Sequence, residues 1–205
     1  MPPIQFGFEL EVVSPLPQTT LAFFLRKGGF KTDVHNEMGF GDERHRYISG
    51  RHFNLSYDSS INPAYGFHDV EIRRGLFTID DLDSFRPFFL LLNKWGVKTN
   101  PNCGLHIHAS ADEPLDAVAL RELSRKEVCR VVPRRSKYCK WENSDDPHYE
   151  AVNQRSPTHV EFRWFSGSTN FQYFCKMIRL VDYYIQLFYL RSTQDSTVST
   201  PCCAG

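Results

Sequence analysis

Four segments of this chain alternate between apolar and polar side chains, and this period of two constrains the fold more than any other feature. The segments are residues 4–13, 67–73, 103–109 and 158–166. Successive side chains of a β-strand point to opposite faces of a sheet, so each segment predicts a strand with one apolar and one polar face. The polar faces carry ionisable residues in all four segments.

The types of these ionisable residues favour a binding function over a solvated surface. They are Glu9, Glu11, Asp69, Glu71, Arg73, His106, His108, Glu161 and Arg163. A solvated face is common in antiparallel sheets, but it is usually filled with Thr, Lys and Ser. Carboxylates at positions i and i+2 lie about 7 Å apart, and a divalent cation between them relieves their repulsion. Several carboxylates with few histidines and no cysteine suit Mg²⁺ or Mn²⁺ better than structural zinc.

Apolar residues at helical spacing predict four helices, over about residues 21–27, 80–95, 114–131 and 171–190. Alternation of these helices with the strands predicts an α+β fold, in which helices cover one face of a largely antiparallel sheet. Residues 1–191 are expected to form a single domain. Residues 192–205 lack core-forming side chains and are expected to form a disordered tail.

Composition excludes several classes of protein. The 24 basic and 24 acidic residues leave no formal net charge, whereas binders of a nucleic-acid polymer usually have a basic excess. No apolar run reaches the ~18 residues of a membrane span, and no signal peptide is visible at the start. The six cysteines lack C-x-x-C spacing. These features predict a cytoplasmic protein with reduced thiols and with neither membrane nor nucleic-acid polymer as a partner.

Short motifs along residues 4–190 resemble, in order and spacing, the amidoligase family of carboxylate–amine ligases. They are FGFELEV (6–12), DSSI (58–61), VEIRRG (70–75), CGLHIHAS (103–110), RRSKYC (134–139), YEAVN (149–153) and VEFRWFSGS (160–168). Each motif is short, but G-x-E-x-E followed by G-x-H-x-H and then E-x-R is considerably more specific than any one of them.

The resemblance implies a glutamine-synthetase-like catalytic fold with a curved sheet. Its concave face would hold ATP and two or three Mg²⁺ (or Mn²⁺) ions. An ATP-dependent ligase of this kind activates a carboxylate substrate as an acyl phosphate, which an amine substrate then attacks. The identities of both substrates, with a protein or peptide among the candidates, and the oligomeric state stay open.

The resemblance also implies roles for individual residues. The metal ligands would be Glu9, Glu11, Glu71, His106 and Glu161. Of the catalytic residues, His108 would lie nearer the phosphates, Arg163 would neutralise the transferring phosphoryl group, and Asp58 would support a metal or bind the amine. A basic segment for phosphate or substrate carboxylate would comprise Arg134, Arg135 and Lys137, although such a cluster is more commonly a basic surface loop.

Acyl phosphates hydrolyse readily, so such a site must exclude water. Residues 31–57 and 140–157 show little period and are predicted to act as lids. Asp58 or Glu71 is the candidate acceptor of the amine proton.

Two other functions fit the same residues. A metal-dependent hydrolase would use His106 and His108 with the carboxylates to activate water. A non-catalytic binding module would keep the fold without the reaction.

Overall fold

The computed structural model describes residues 3–35, 52–131, 139–141 and 150–197. The strands are β1 (Gln5–Ser14), β2 (Thr32–His35), β3 (Phe53–Ser56), β4 (His68–Phe77), β5 (Gly104–Ser110), β6 (Val152–Ser156) and β7 (His159–Ser166). The α-helices are α1 (Gln18–Lys27), α2 (Arg86–Lys94), α3 (Ala117–Val131) and α4 (Phe171–Thr197), with a 3₁₀ helix at Ile79–Phe85. Arg134, Arg135 and Lys137 lie outside the described residues.

The strands form one open, seven-stranded sheet in the order β2-β3-β4-β1-β5-β7-β6. The pair β2–β3 is parallel, and every other pair is antiparallel. The prediction of a largely antiparallel sheet combined with helices is therefore confirmed. The curvature of the sheet, its glutamine-synthetase-like relationship and the single domain over residues 1–191 stay predictions.

The helices pack on the apolar face of the sheet. The Phe8 ring of the central strand β1 lies 5.0 Å from the Phe174 ring of α4 and 6.5 Å from the Phe88 ring of α2, measured between centroids. Leu21 and Leu25 of α1 are fully buried in the same core. Burial of these large apolar side chains supplies the main favourable free energy for packing the helices on the sheet, because the hydrophobic free energy scales with the apolar area removed from water.

The predicted helix over residues 80–95 forms in two pieces. The Thr78 backbone N–H donates to Asp81 Oδ2 over 2.7 Å, and this capping box starts the 3₁₀ helix. Pro87 lies in the first turn of α2, where its missing N–H costs nothing. Gly96, with φ of 70°, follows α2 and ends it as predicted.

Three segments differ from the sequence-based prediction. The α4 helix continues to Thr197, beyond its predicted end at about residue 190, and residues 198–205 lie outside the described ones. The disordered tail over residues 192–205 stays a prediction. Backbone hydrogen bonds of a helix are local, so α4 can continue past its buried residues, and Ser192 and Thr193 are exposed. The predicted loops contain β2 and β6, whose four and five residues are too few to show a clear period.

Among the described residues, no helix combines the length and apolar character that a bilayer crossing requires.

Candidate functional site

Strand pairing brings the predicted site residues together on the face opposite the helices. Glu9 of β1 lies opposite Arg73 of β4 on one side and opposite His106 of β5 on the other. The pairing of β5 with β7 places His108 opposite Glu161. We call the group that shares this face the carboxylate–histidine cluster, and it comprises Glu9, Glu11, Glu71, His106, His108 and Glu161.

Five of the six members of the carboxylate–histidine cluster are buried, and Glu9 is partly exposed. Glu161 has no exposed surface, while Glu11, Glu71, His106 and His108 are 3–4% exposed. The interpretation of these residues as an ordinary solvated strand face is therefore wrong. Burying a charged group is costly unless it is paired, so the neighbours of each carboxylate determine what the site can do.

Three carboxylates surround the ring of His106. Its Nδ1 lies 3.2 Å from Glu9 Oε2 and 3.4 Å from Glu161 Oε1. Its Nε2 lies 3.5 Å from Glu11 Oε1. The histidine thus links the G-x-E-x-E motif of β1 with the E-x-R motif of β7.

A second group of three residues has the geometry of a cation site. Glu9, His108 and Glu161 each offer one ligand atom, and these atoms all lie within 4.8 Å of one another. Carboxylate oxygens with an imidazole nitrogen can hold a divalent ion such as Mn²⁺ or Mg²⁺. His108, which the family resemblance places nearer the phosphates, is therefore close to two of the predicted metal ligands.

The second ring nitrogen of His108 also has a neighbour. Its Nδ1 lies 3.1 Å from Nε2 of His159, while its Nε2 lies 3.4 Å from Glu9 Oε1. Such a contact on one nitrogen restricts the tautomer and leaves the other nitrogen facing the carboxylates.

Arginine side chains neutralise part of this acidic face. Arg73 forms an ion pair with Glu71 and its Nε lies 3.7 Å from Glu9 Oε1. Arg155 Nε donates to Glu161 Oε2 over 2.8 Å, and Arg163 Nη1 donates to Glu161 Oε1 over 2.7 Å. Bound cations are therefore not the only source of compensation for the buried carboxylates.

Among the described residues, carboxyl groups still outnumber arginines on this face. The buried or partly buried carboxyl groups are Glu9, Glu11, Asp69, Glu71 and Glu161, whereas the arginines that form ion pairs here are Arg73, Arg155 and Arg163.

The cluster shifts the pKa values of two of its carboxyl groups downwards. Burial raises the pKa of Glu9, but hydrogen bonds from His106 and His108 and the charges of His108 and Arg73 outweigh it, leaving the pKa well below the usual value. Burial likewise opposes ionisation of Glu161, yet the charges of His108 and Arg163 lower its pKa to about 2. Both groups are therefore ionised, as metal ligands must be.

Glu71 has the opposite shift. Burial and the charge of Glu9 raise its pKa well above the usual value, and pairing with Arg73 only partly offsets them. The charge of Asp58 raises it further, so Asp58 lies near this end of the cluster. The Asp58 carboxylate also accepts a 2.8 Å hydrogen bond from the Ser60 backbone N–H, which fixes the turn after β3.

Two glycines of the motifs, Gly104 and Gly167, lie against Glu11 and leave room for it. The Gly104 backbone N–H donates a short hydrogen bond to Glu11 Oε2. A Cβ on Gly167 would lie 2.9 Å from the Cβ of Cys103 and 3.0 Å from the Glu11 carbonyl oxygen, which is closer than side chains approach. Cys103 packs there as a small buried side chain.

Sequence reasoning missed several polar partners of the cluster. Arg155 holds Glu161, Asn153 lies opposite Glu161 in the pairing of β6 with β7, and the Ser56 hydroxyl donates to Glu71 Oε2 over 3.2 Å. Asn153 and Arg155 lie in the segment VNQRS, which is polar at four of five positions and therefore carries no alternation that could have revealed them. The predicted lid over residues 140–157 is therefore partly an edge strand, and residues 36–51 and 142–149 of the two lids lie outside the described residues.

Comparison with known proteins agrees with the geometry. Residues 2–130 match the model of a family described as "Putative amidoligase enzyme", a segment that holds both the G-x-E-x-E and G-x-H-x-H motifs. No curated protein and no solved structure matches the chain. Glu161 and Arg163 lie beyond the matched segment, and the sheet brings them to the same site. The chain therefore belongs to the putative amidoligase family, whose description is that of a ligase-type enzyme.

Proposed function

We propose that this protein is an ATP-dependent ligase that joins a carboxylate to an amine through an acyl phosphate. The observation that carries the proposal is the buried carboxylate–histidine cluster with Arg163 beside it. A substrate carboxylate oxygen would attack the γ-phosphorus of ATP and release ADP. The amine nitrogen would then attack the acyl carbon, phosphate would leave, and Asp58 or Glu71 would take the amine proton.

The donor set of the cluster fits a divalent cation. The proposed ligands are Glu9, Glu11, Glu71, His106 and Glu161, and His108 offers a ligand atom within 4.8 Å of those of Glu9 and Glu161. Bound Mg²⁺ or Mn²⁺ would supply positive charge next to the phosphate oxygens of ATP.

Arg163 is suited to hold a phosphoryl oxygen. Its Nη1 donates to Glu161, which fixes the plane of the guanidinium group. Its Nε is buried and has no hydrogen-bond partner among the described residues. A buried, oriented and unsatisfied N–H is a strong donor to an anion that gains charge in a transition state.

The direct test is release of ADP and phosphate by purified protein given ATP, Mg²⁺ and a panel of amino acids and polyamines. Hydroxylamine in place of the amine would trap an acyl phosphate as a hydroxamate. Glu9→Gln is expected to abolish release, whereas Glu122→Gln, on an exposed position of α3, removes the same charge without effect. Absence of ATP binding with Mg²⁺, together with no effect of Glu9→Gln, would refute the proposal.

The same assay distinguishes the two alternatives. Ester or phosphodiester hydrolysis that needs metal but no ATP identifies a hydrolase using His106 and His108. Binding of metal without any turnover identifies a non-catalytic module.

A further inference from the structure

The outer surfaces of α1 and α2 repeat one pattern of exposed residues. In α1, Phe23 is 51% exposed and precedes the exposed Lys27 by four residues. In α2, Leu90 is 64% exposed and precedes the exposed Lys94 by four residues. Residues four apart share one helix face, so each helix presents a large apolar side chain beside a lysine.

The two patterns form one surface because the ends of the helices meet. The Phe24 ring of α1 stacks on Trp95, directly after α2, with centroids 3.9 Å apart. A side chain on Gly28 would collide with Leu91 of α2. We call this area the α1–α2 surface, and it comprises Phe23, Phe24, Lys27, Leu90, Lys94 and Trp95.

The charge of the α1–α2 surface has one sign. Residues 15–31 and 84–98 contain three basic residues each and no acidic residue, although the whole chain has 24 of each. The Lys27 and Lys94 ammonium groups each lie 5.6 Å from a ring centroid, above Phe23 and Trp95. Arg86 pairs with Asp83, just outside the second segment, whereas Lys27 and Lys94 lie beside the apolar groups, so a complementary partner would supply negative charge there.

An open cavity extends this basic area beyond Lys27. It has a volume of about 410 Å³, and its lining includes Arg26, Lys31 and His52. Arg26 follows Phe23 by three residues and thus lies on the same side of α1. His52 lies 3.4 Å from Asp33, the acidic residue among the lining side chains.

We propose that the α1–α2 surface is a docking site for an acidic, amphipathic segment of a partner protein. Its carboxylates would pair with Lys27, Lys94 and the cations of the cavity, and its apolar side chains would contact Phe23 and Leu90. The surface lies on the helical side of the sheet, away from the carboxylate–histidine cluster. The inference is therefore independent of the proposed ligase activity.

Two other occupants fit the surface less well. A second copy of the chain would bring like charges together across a two-fold axis, and this costs binding energy. A lipid surface favours helices whose continuous apolar face is free to enter the membrane. In α1, Leu21 and Leu25 of the apolar face are instead buried in the protein core.

The test uses a fluorescein-labelled synthetic peptide with Glu and Leu residues at helical spacing. Fluorescence anisotropy should show binding that weakens with added salt, and hydrogen exchange should show protection of α1 and α2. Lys27→Glu with Lys94→Glu, and separately Phe23→Ser with Leu90→Ser, should each weaken binding by about tenfold or more, a loss of about 1.4 kcal/mol. Thermal melts confirm that each variant folds.

Matched controls separate this surface from general charge attraction. Arg125→Glu with Lys176→Glu changes the same charge on α3 and α4 and should leave binding intact. A peptide with Ser in place of Leu should bind weakly. The proposal is overturned if the control variant loses as much peptide affinity as the variants of the α1–α2 surface. It is also overturned if the peptide does not protect α1 and α2 from hydrogen exchange. Tighter binding of anionic phosphatidylserine vesicles than of the peptide, through the same lysines, would overturn it too. Sedimentation that shows a dimer dissolved by Lys27→Glu with Lys94→Glu would overturn it in favour of self-association.

Discussion

Glu9 Oε2 lies 3.2 Å from His106 Nδ1, although the two residues are 97 positions apart in the chain. The antiparallel pairing of β1 with β5 makes them direct neighbours. This contact joins the G-x-E-x-E and G-x-H-x-H motifs into one site, and Glu9 also lies 3.4 Å from His108. Glu9 thus contacts both histidines of the cluster.

Glu9→Gln should lower the affinity for Mn²⁺ by about 10- to 100-fold, because an amide supplies a weaker, neutral ligand in the same volume. Titration calorimetry of the metal-free protein with Mn²⁺ measures the change. Glu122→Gln serves as the control and should bind Mn²⁺ like the unchanged protein. Equal affinities for all three proteins would exclude Glu9 as a ligand.

Arg163→Lys should reduce ADP release by about 100-fold or more, since lysine keeps the charge but lacks the second donor of the guanidinium group. The loss should appear in kcat, because the proposed contact strengthens as the phosphoryl group transfers. The exposed Arg125→Lys on α3 is the matched control. An unchanged kcat for the Arg163 variant would contradict the proposed role.

Glu161→Gln should destabilise the metal-free protein at neutral pH. The folded-state pKa of Glu161 is about 2, below the unfolded value of about 4.3, so ionisation favours folding. The stabilisation of about 3 kcal/mol is present above pH ~4.3 and is lost as the pH falls towards 2. Urea unfolding in EDTA at several pH values checks this, and a pH-independent difference between the proteins would oppose it.

Glu71→Gln should have the opposite effect and raise the melting temperature of the metal-free protein at neutral pH. Burial and the charge of Glu9 raise the folded-state pKa of Glu71, so its cost to stability builds up above the unfolded pKa and is complete above the folded pKa. The gain from the substitution should shrink as the pH falls below the unfolded value of about 4.3, where Glu71 is protonated in both the folded and the unfolded state. Thermal melts of both proteins in EDTA across this pH range measure the difference in melting temperature. A lower melting temperature for the Glu71→Gln variant at neutral pH would contradict the prediction.

Gly167→Ala should destabilise the fold by about 1–3 kcal/mol, because the added methyl group meets Cys103 and the backbone of Glu11. The displaced Glu11 should also weaken Mn²⁺ binding. Val118→Ala, at an exposed position of α3, provides a neutral comparison. Unchanged stability and Mn²⁺ affinity would contradict the prediction and show that the backbone around Gly167 can move to accommodate the methyl group.

Much of the fold could be predicted from local patterns. The alternation of apolar and ionisable residues located β1, β4, β5 and β7, because a strand exposes its side chains to two faces in turn. The same alternation assigned Glu9, His106 and Glu161 to the polar face. The short strands β2 and β6 were missed because four or five residues contain too little repetition to reveal a period.

The sequence by itself determined which residues share a strand face and which chemistry they offer, because both depend on the residue types and on the local geometry of the backbone. Only the tertiary structure decided which strands are neighbours, that Arg155 and Arg163 both hold Glu161, and that the acidic face is buried. Those facts depend on pairing between distant segments, and the free energy of that pairing comes from the whole core rather than from any one motif.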